Sequence, residues 1–143
     1  MTNVRDNKWL AERLQKIWQR HFSDVRLKNN IFVRFGRPAK WQLGRIKFGR
    51  RRENPNTYIV VNGLFKNSYV PEFVVDATLA HELCHYTHGF FSPHERQHKY
   101  PHKGGVIKKE MENRGLSEIH ELEKKWLKLN WRKYARMYFL QNR

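Results

Sequence analysis

The chain has 143 residues, of which 39% are hydrophobic and 14% are aromatic. This length and composition predict one folded domain over residues 1–143 and exclude a disordered chain. The 29 lysines and arginines outnumber the 13 aspartates and glutamates, which gives a formal net charge of +16. An excess of this size is more than solubility requires, and it predicts a polyanionic partner, with nucleic acid as the leading candidate.

Cysteine content and hydropathy limit the compartment and the kind of metal site. Cys84 is the single cysteine, so the chain has no intramolecular disulfide and no four-cysteine zinc site. Residues 1–16 lack the apolar run of a signal peptide, and no stretch is long enough to span a membrane. We therefore expect a cytoplasmic protein that does not bind to membranes.

The first half of the chain predicts one helix followed by three strands. Apolar residues at helical spacing indicate a helix over residues 8–22. Alternating or β-branched runs indicate strands over residues 31–35, 41–48 and 58–61. We expect an α+β fold in which a small, mostly antiparallel sheet packs against the helix that follows it.

The motif that carries the chemistry lies in that helix, predicted over residues 71–88. His81, Glu82 and His85 form an HExxH pattern, in which two histidines share one helix face and the glutamate lies beside them. Two imidazoles can hold Zn²⁺, and a site with three protein ligands keeps a fourth position for water. Zinc lowers the pKa of that water to roughly 7, and Glu82 is the candidate general base that takes its proton. An ordinary amphipathic helix that happens to carry two histidines is the alternative.

A catalytic zinc site needs a third protein ligand. His88 lies near the same helix face, but three side chains along one helix line cannot surround a tetrahedral ion. The third ligand should therefore come from another segment, where the candidates are His94, His98, His102 and Glu110. We favour His102, because it follows Pro101 at the start of a helix predicted over about residues 103–114, where its backbone can be fixed.

A long last helix is predicted over residues 118–140. Its apolar periodicity indicates a core-facing side formed by Ile119, Leu122, Trp126, Leu129, Lys133 and Met137. Basic residues recur every four positions as a stripe, at Lys124, Lys128, Arg132 and Arg136. With Trp131, Tyr134 and Tyr138 interleaved, this stripe could neutralise phosphates and stack on unpaired bases. A second basic cluster follows the second strand, at Arg45, Lys47, Arg50, Arg51 and Arg52. For both, a solvated surface is the alternative.

Several of these features occur in one order between about residues 57 and 115. The extended segment Tyr58 to Asn62 comes first, the HExxH motif follows, and His102 and Gly115 come after a loop. This order resembles the SprT-like zincin metallopeptidases, the family that includes the Spartan-type DNA–protein crosslink proteases. Two departures stand out. Lys103 separates His102 from the glycine that usually follows it, and the single cysteine excludes the carboxy-terminal zinc ribbon of many relatives.

The resemblance implies a zincin-like fold in which His81, His85 and His102 hold Zn²⁺ and Glu82 is the general base of peptide-bond hydrolysis. It implies protein or peptide substrates, including proteins held on DNA, with the basic surface bringing enzyme and substrate together. The main alternative is a nucleic-acid-binding module with a structural zinc site. Hydrolysis of another amide or an ester is a third possibility, because the zinc chemistry does not select the acyl group. Tyr86, His98 and Tyr100 are the candidate hydrogen-bond donors to the transition state.

Overall fold

The computed structural model of this protein describes residues 4–143, so the first three residues of the predicted domain lie outside the described part. In chain order the elements are α1 (Asn7–His21), β1 (Ile31–Phe35), β2 (Gly44–Phe48), β3 (Thr57–Val61), a 3₁₀ turn (Gly63–Lys66), α2 (Glu72–Thr87), α3 (Val106–Asn113), α4 (Ser117–Trp126), a π-helical segment (Leu127–Trp131) and α5 (Arg132–Gln141). The predicted α+β class is confirmed. Within residues 4–143, none of the helices combines the length and the apolarity needed to cross a bilayer.

The three strands form a mixed sheet in the order β1-β3-β2. β3 is antiparallel to β2 but parallel to β1, so the expectation of a mostly antiparallel sheet is wrong for one of the two strand pairs. β2 and β3 follow each other through a short connection, which favours antiparallel pairing. β1 instead joins the other edge of β3, and the chain crosses between them by way of β2. Strand spacing along the sequence does not specify this order.

Side-chain alternation along β3 gives the sheet two different faces. Thr57, Ile59 and Val61 are buried on the inner face, against the helices, whereas Tyr58 and Val60 point to the opposite face. α1 packs against β1, and α2 packs against β2 and β3. We call the side that carries Tyr58 and Val60 the outer face of the sheet.

α2 is the most enclosed helix of the fold, in contact with α1, α3, α4 and two strands. It follows Pro71, whose fixed φ suits a helix start, and Gly89 lies just beyond its end with φ of +79°. The predicted start and stop of this helix are therefore confirmed. Because helix and sheet residues surround α2 on most sides, the HExxH motif lies on a rigid part of the backbone.

The last helix is continuous from Ser117 to Gln141, but a π-helical turn interrupts it at Leu127–Trp131. A π turn closes hydrogen bonds from i to i+5 and so inserts an extra residue into the α-helical repeat. From this turn onward the buried residues are Trp131 and Ala135, whereas Glu123 is the buried residue before it. The predicted core face is wrong for four members, because Leu122, Leu129 and Met137 are 44%, 68% and 48% exposed and Lys133 is also exposed.

The basic stripe of this last helix is exposed at all four positions, Lys124, Lys128, Arg132 and Arg136. Of the three aromatic residues predicted to lie between these basic residues, Trp131 does not share their exposure. Trp131 is buried and donates a hydrogen bond from Nε1 to the carbonyl oxygen of Lys40 at 2.7 Å. Trp131 therefore anchors the segment before β2 to the last helix, and it is not available to stack on bases.

Candidate metal centre

α2 brings His81 and His85 together on one side, one helical turn apart. Their Nε2 atoms lie 3.1 Å from each other. Two nitrogen ligands at 2.0–2.1 Å from one tetrahedral zinc ion would be roughly 3.3 Å apart. This pair of imidazoles therefore has the spacing that a shared zinc ion requires.

His102 is the third histidine of the cluster. Its ring centroid lies 4.6 Å from that of His85, and the ligand nitrogens of His81, His85 and His102 all fall within 4.8 Å of one another. His102 does not open a helix, as the sequence suggested, because α3 begins only at Val106. Gly104 and Gly105 intervene with φ of +71° and +66°, a left-handed conformation that cannot continue into a right-handed helix.

The other candidates for the third ligand have different partners. His88 Nε2 lies 2.7 Å from Glu110 Oε1, and the His98 ring stacks edge-on at 4.6 Å from the His88 ring. His94 Nε2 is 2.6 Å from the carbonyl oxygen of Arg26. Among residues 4–143, His94, His98 and Glu110 are therefore not part of the three-histidine cluster.

Burial keeps the two helix histidines in the form that binds metal. Burial lowers the pKa of His81 to about 4, and the nearby His102 adds to the effect. Burial also lowers the pKa of His85 to about 3, with His81 as the next cause. Both rings are consequently neutral at pH 7, with a lone pair free to bind a metal ion. The residues present fit zinc.

Glu82 is buried beside the histidines, with 4% of its surface exposed. With His81 it lines a cavity of 270 Å³, whose wall is completed by Thr78, Glu123 and residues 41–44. A Cβ atom on Gly44 would lie 2.7 Å from Thr78 Cγ2 and 3.6 Å from Glu82 Oε1. The start of β2 therefore packs against Thr78 as closely as a glycine allows, beside the Glu82 carboxylate.

Two effects raise the pKa of Glu82 to about 8 in the metal-free protein. The larger is burial, and the second is the charge of Glu123. In the described part of the chain, no protein group donates a hydrogen bond to the Glu82 carboxylate, so nothing offsets the loss of hydration. A carboxylate whose pKa lies near neutrality is suited to take up a proton and to release it.

No protein-family model matches the chain, and neither a curated protein nor a solved structure is significantly similar to it. What the site can do follows from its own residues.

Sequence reasoning missed Glu123, which reaches this cavity from α4. Its side chain is 7% exposed, and Oε2 accepts a hydrogen bond from the Thr78 hydroxyl at 3.0 Å. Burial raises the pKa of Glu123 to about 7, although the bond from Thr78 lowers it. The available signal was its spacing, since Glu123 lies four residues from both Ile119 and Leu127 on the buried side of the last helix.

Asn62 was predicted only as the end of a strand, but its buried side chain holds the segment formed by residues 37–43. Its Nδ2 donates to the carbonyl oxygens of Ala39 and Gln42, both at 2.8 Å. Its Oδ1 accepts from the backbone N–H of Ala39 at 3.2 Å and of Leu64 at 2.9 Å. Because residues 41–44 form one wall of the Glu82 cavity, Asn62 fixes the shape of the site from a distance.

The three candidate donors to the transition state lie in different places. Tyr86 is buried in the core and donates its hydroxyl hydrogen to Asn29 Oδ1 at 2.8 Å, so it does not face the cluster. His98 is held against His88. Tyr100 is 55% exposed and lies two residues before His102. Of the three, Tyr100 is the one that remains a candidate.

Proposed function

We propose that this protein is a zinc-dependent metallopeptidase, similar to the SprT-like zincins, that hydrolyses peptide bonds with water as the nucleophile. One observation carries the proposal: His81, His85 and His102 bring ring nitrogens within 4.8 Å of one another, next to the buried carboxylate of Glu82. A candidate metal ligand set and a candidate base are thus neighbours, with His81 and Glu82 lining one cavity.

The ligand number favours a catalytic metal over a structural one. In residues 4–143 the cluster offers three ligand groups, whereas structural zinc sites are almost always closed by four protein ligands. When bound, zinc would supply Lewis acidity that lowers the pKa of water to roughly 7, and its charge would oppose the effect of burial on Glu82.

Glu82 then performs the proton transfers. Its carboxylate oxygen takes a proton from the attacking water as the new C–O bond forms. The same oxygen delivers that proton to the leaving amine nitrogen as the C–N bond breaks. Burial of Glu82 supports this role. A proton held on a buried carboxyl meets few water molecules that could accept it, so it is transferred to the substrate rather than exchanged with solvent.

The position of β2 supports an extended peptide as the substrate. β2 is an edge strand of the sheet, so one row of its backbone N–H and C=O groups is unpaired within the sheet. The strand begins at Gly44, against Glu82. A peptide that adds to this edge by backbone hydrogen bonds would run past the three histidines, which is a recurring mode of peptide recognition.

The net charge of +16 supports substrates that are associated with nucleic acid, including proteins held on DNA. The alternative function is a nucleic-acid-binding module whose zinc only braces the fold. This alternative would explain the three histidines and the positive charge as well as the peptidase does, but it gives no role to the unpaired carboxylate of Glu82. The two functions are separated by Glu82→Gln, which keeps the volume of the side chain and removes the base.

The test is to measure zinc content and casein hydrolysis on the same samples, with and without single-stranded DNA. The peptidase predicts one zinc per chain and hydrolysis that is lost in Glu82→Gln while the zinc is retained. Stoichiometric zinc without hydrolysis under either condition would favour the structural-zinc module. A protein that binds no zinc would contradict both functions.

A further inference from the structure

The outer face of the sheet carries an aromatic pair, of which one ring is exposed and the other half-buried. Phe32 and Tyr58 are neighbours in the register of β1 and β3, and their rings stack with centroids 5.5 Å apart and an interplanar angle of 27°. Phe32 is 48% exposed. Lys47 completes the same row, because it is the register partner of Tyr58 on β2. Two stacked aromatic rings thus lie in one row with a cation on this face of the sheet.

The next row along the strands carries two arginines. Arg34 and Arg45 are the register partners of Val60 on either side, which places them roughly 10 Å apart across the sheet. Both line a cavity of 460 Å³ together with Arg37, which follows β1. Three arginines therefore line one cavity, and within residues 4–143 no acidic residue lines it.

These three arginines differ from those that support the fold. Arg13 pairs with Asp76 at 2.6 Å, and Arg114 pairs with Asp24 at 2.7 Å. In residues 4–143, Arg34, Arg37 and Arg45 have no carboxylate within 4.0 Å, and no protein acceptor receives a hydrogen bond from their guanidinium groups. Like charges gathered around a cavity repel one another, so the arrangement favours an anionic ligand that neutralises them.

We propose that the outer face of the sheet is a binding site for single-stranded nucleic acid. Unpaired bases stack on Phe32 and Tyr58, and the phosphates between them contact Arg34, Arg37 and Arg45. The two rows are two residues apart along the strands, roughly 7 Å, so that a base and a neighbouring phosphate of one strand can reach both at once.

The aromatic pair selects single strands among the possible polyanions. Stacking requires a base with a free face, which a base-paired duplex does not present. An acidic peptide or an anionic lipid headgroup could neutralise the arginines, but it would leave Phe32 and Tyr58 without a partner. The last helix also places charge beside a ring, because Trp41, which is 82% exposed, lines a cavity with Arg132 and Arg136. The sheet face is favoured because it offers two stacked rings, whereas Trp41 is a single exposed ring next to the buried Trp131.

This site adjoins the metal centre, although it does not depend on zinc. Gln42 and Gly44 line the arginine cavity and also the Glu82 cavity, so the two cavities lie on opposite sides of one short stretch of chain. A strand bound at the outer face would therefore hold an attached protein close to Glu82. The inference goes beyond the proposed hydrolysis, and its test requires no protein substrate.

The test is fluorescence anisotropy with a labelled oligothymidine of about 12 nucleotides, within the range of 4–16 that single modules cover. Arg34→Gln with Arg45→Gln should weaken binding at least tenfold. The control pair Lys124→Gln with Lys128→Gln, which removes the same charge from the last helix, should weaken it less than threefold. Far-UV circular dichroism and zinc content, measured on every variant, establish that each protein is folded.

Two further measurements separate stacking from charge. Phe32→Leu with Tyr58→Leu should weaken binding at least tenfold, whereas Trp41→Leu, which removes the 82% exposed ring beside Arg132 and Arg136, should have little effect. The slope of log affinity against log salt should fall by about 1.4 in the arginine variant, since each lost phosphate contact to a single strand contributes about 0.7.

Three results would overturn the proposal. They are an absence of oligothymidine binding by the wild type, an equal loss in the arginine and lysine pairs, and displacement of the oligonucleotide by polyglutamate at equal charge concentration. The second would mean diffuse charge without a defined site. The third would mean that the bases contribute nothing. None of these results would affect the comparison of wild type with Glu82→Gln in casein hydrolysis without DNA.

Discussion

Thr78 donates a hydrogen bond from its hydroxyl to Glu123 Oε2 over 3.0 Å and so joins α2 to α4 inside the Glu82 cavity. This contact brings a second buried carboxylate next to the candidate base. Two carboxylates in one cavity disfavour each other's ionisation, which is one of the reasons why the pKa of Glu82 is raised.

Glu123→Gln should stabilise the metal-free protein at neutral pH. The pKa of Glu123 is about 7 in the folded protein and 4.5 in its ordinary state, so the folded form binds this proton more tightly. The stability contributed by the protonated carboxyl is complete below pH 4.5 and is lost as the pH rises to about 7. A tenfold change in proton affinity corresponds to roughly 1.4 kcal/mol, so the variant should gain on the order of 3 kcal/mol by pH 8.

Urea unfolding followed by tryptophan fluorescence measures this gain, on protein treated with a chelator at pH 4.5 and pH 8. The two proteins should agree at the lower pH and diverge at the higher one. Glu121→Gln, at an exposed position of the same helix, should follow the wild type at both. Equal stabilities of wild type and Glu123→Gln at pH 8 would refute the raised pKa of this group.

Asn62→Ala should destabilise the fold and lower activity together. The substitution removes four hydrogen bonds to the backbone, three of which hold the segment formed by residues 37–43. One of these bonds is buried and three are part-buried, so water partly relieves the about 1–3 kcal/mol that each buried unpaired group costs, and a total loss of roughly 3 kcal/mol is expected. Thermal unfolding and casein hydrolysis at a permissive temperature are the measurements.

Asn67→Ala is the matched control, because the Asn67 side chain also accepts a backbone hydrogen bond, from Tyr69, but at an exposed position. It should lower stability by less than about 1 kcal/mol and leave hydrolysis unchanged. If both variants lost activity equally, the prediction that Asn62 maintains the shape of the Glu82 cavity would be wrong.

His102→Ala should abolish stoichiometric zinc binding, while His94→Ala and His98→Ala should retain it. The reason is that His102 alone of these three lies in the cluster with His81 and His85. Loss of an outer partner of a metal ligand typically lowers affinity 10–100-fold, and loss of a ligand should lower it at least as much. Elemental analysis after dialysis against a weak chelator measures the effect, and a zinc-free His98→Ala would contradict the assignment.

Glu82→Gln should lower hydrolysis by about 10²–10⁴-fold, the usual contribution of a positioned general base. Zinc content should not change, because the substitution leaves the three histidines in place. Rates are measured on zinc-loaded samples of wild type and variant at the same pH. A variant that still hydrolyses casein within threefold of the wild-type rate would exclude Glu82 as the base.

Local sequence patterns predicted the elements well, but they did not predict the partners of those elements. β1 was predicted at its observed bounds, because Ile31, Val33 and Phe35 alternate with outward-facing residues. The parallel pairing of β1 with β3 was missed, since alternation is the same in parallel and antiparallel edge strands. The helical period also failed after Leu127, because no local signal marked the π-helical turn that moves Trp131 into the core.

In the site too, residues on one helix could be predicted from the sequence, whereas contacts between separate elements could not. Histidines at i and i+4 predicted their own convergence, because one helix fixes both. Glu123 was missed because it reaches the cavity from another helix, and its place depends on how α4 packs against α2. The location of His102 in a turn before α3 also depended on the two glycines after it, which override the tendency of the following residues to form a helix.

The stretch from Gln42 to Gly44 is a wall common to two cavities, one lined by arginines and the other by Glu82. A ligand that restricts this wall from one side changes the free energy of binding on the other. Linkage then requires reciprocity: whatever factor an oligonucleotide contributes to the affinity of an inhibitor at the metal centre, the inhibitor contributes to the affinity of the oligonucleotide. A ligand in one cavity would thereby change the measured affinity of the other cavity for its own ligand.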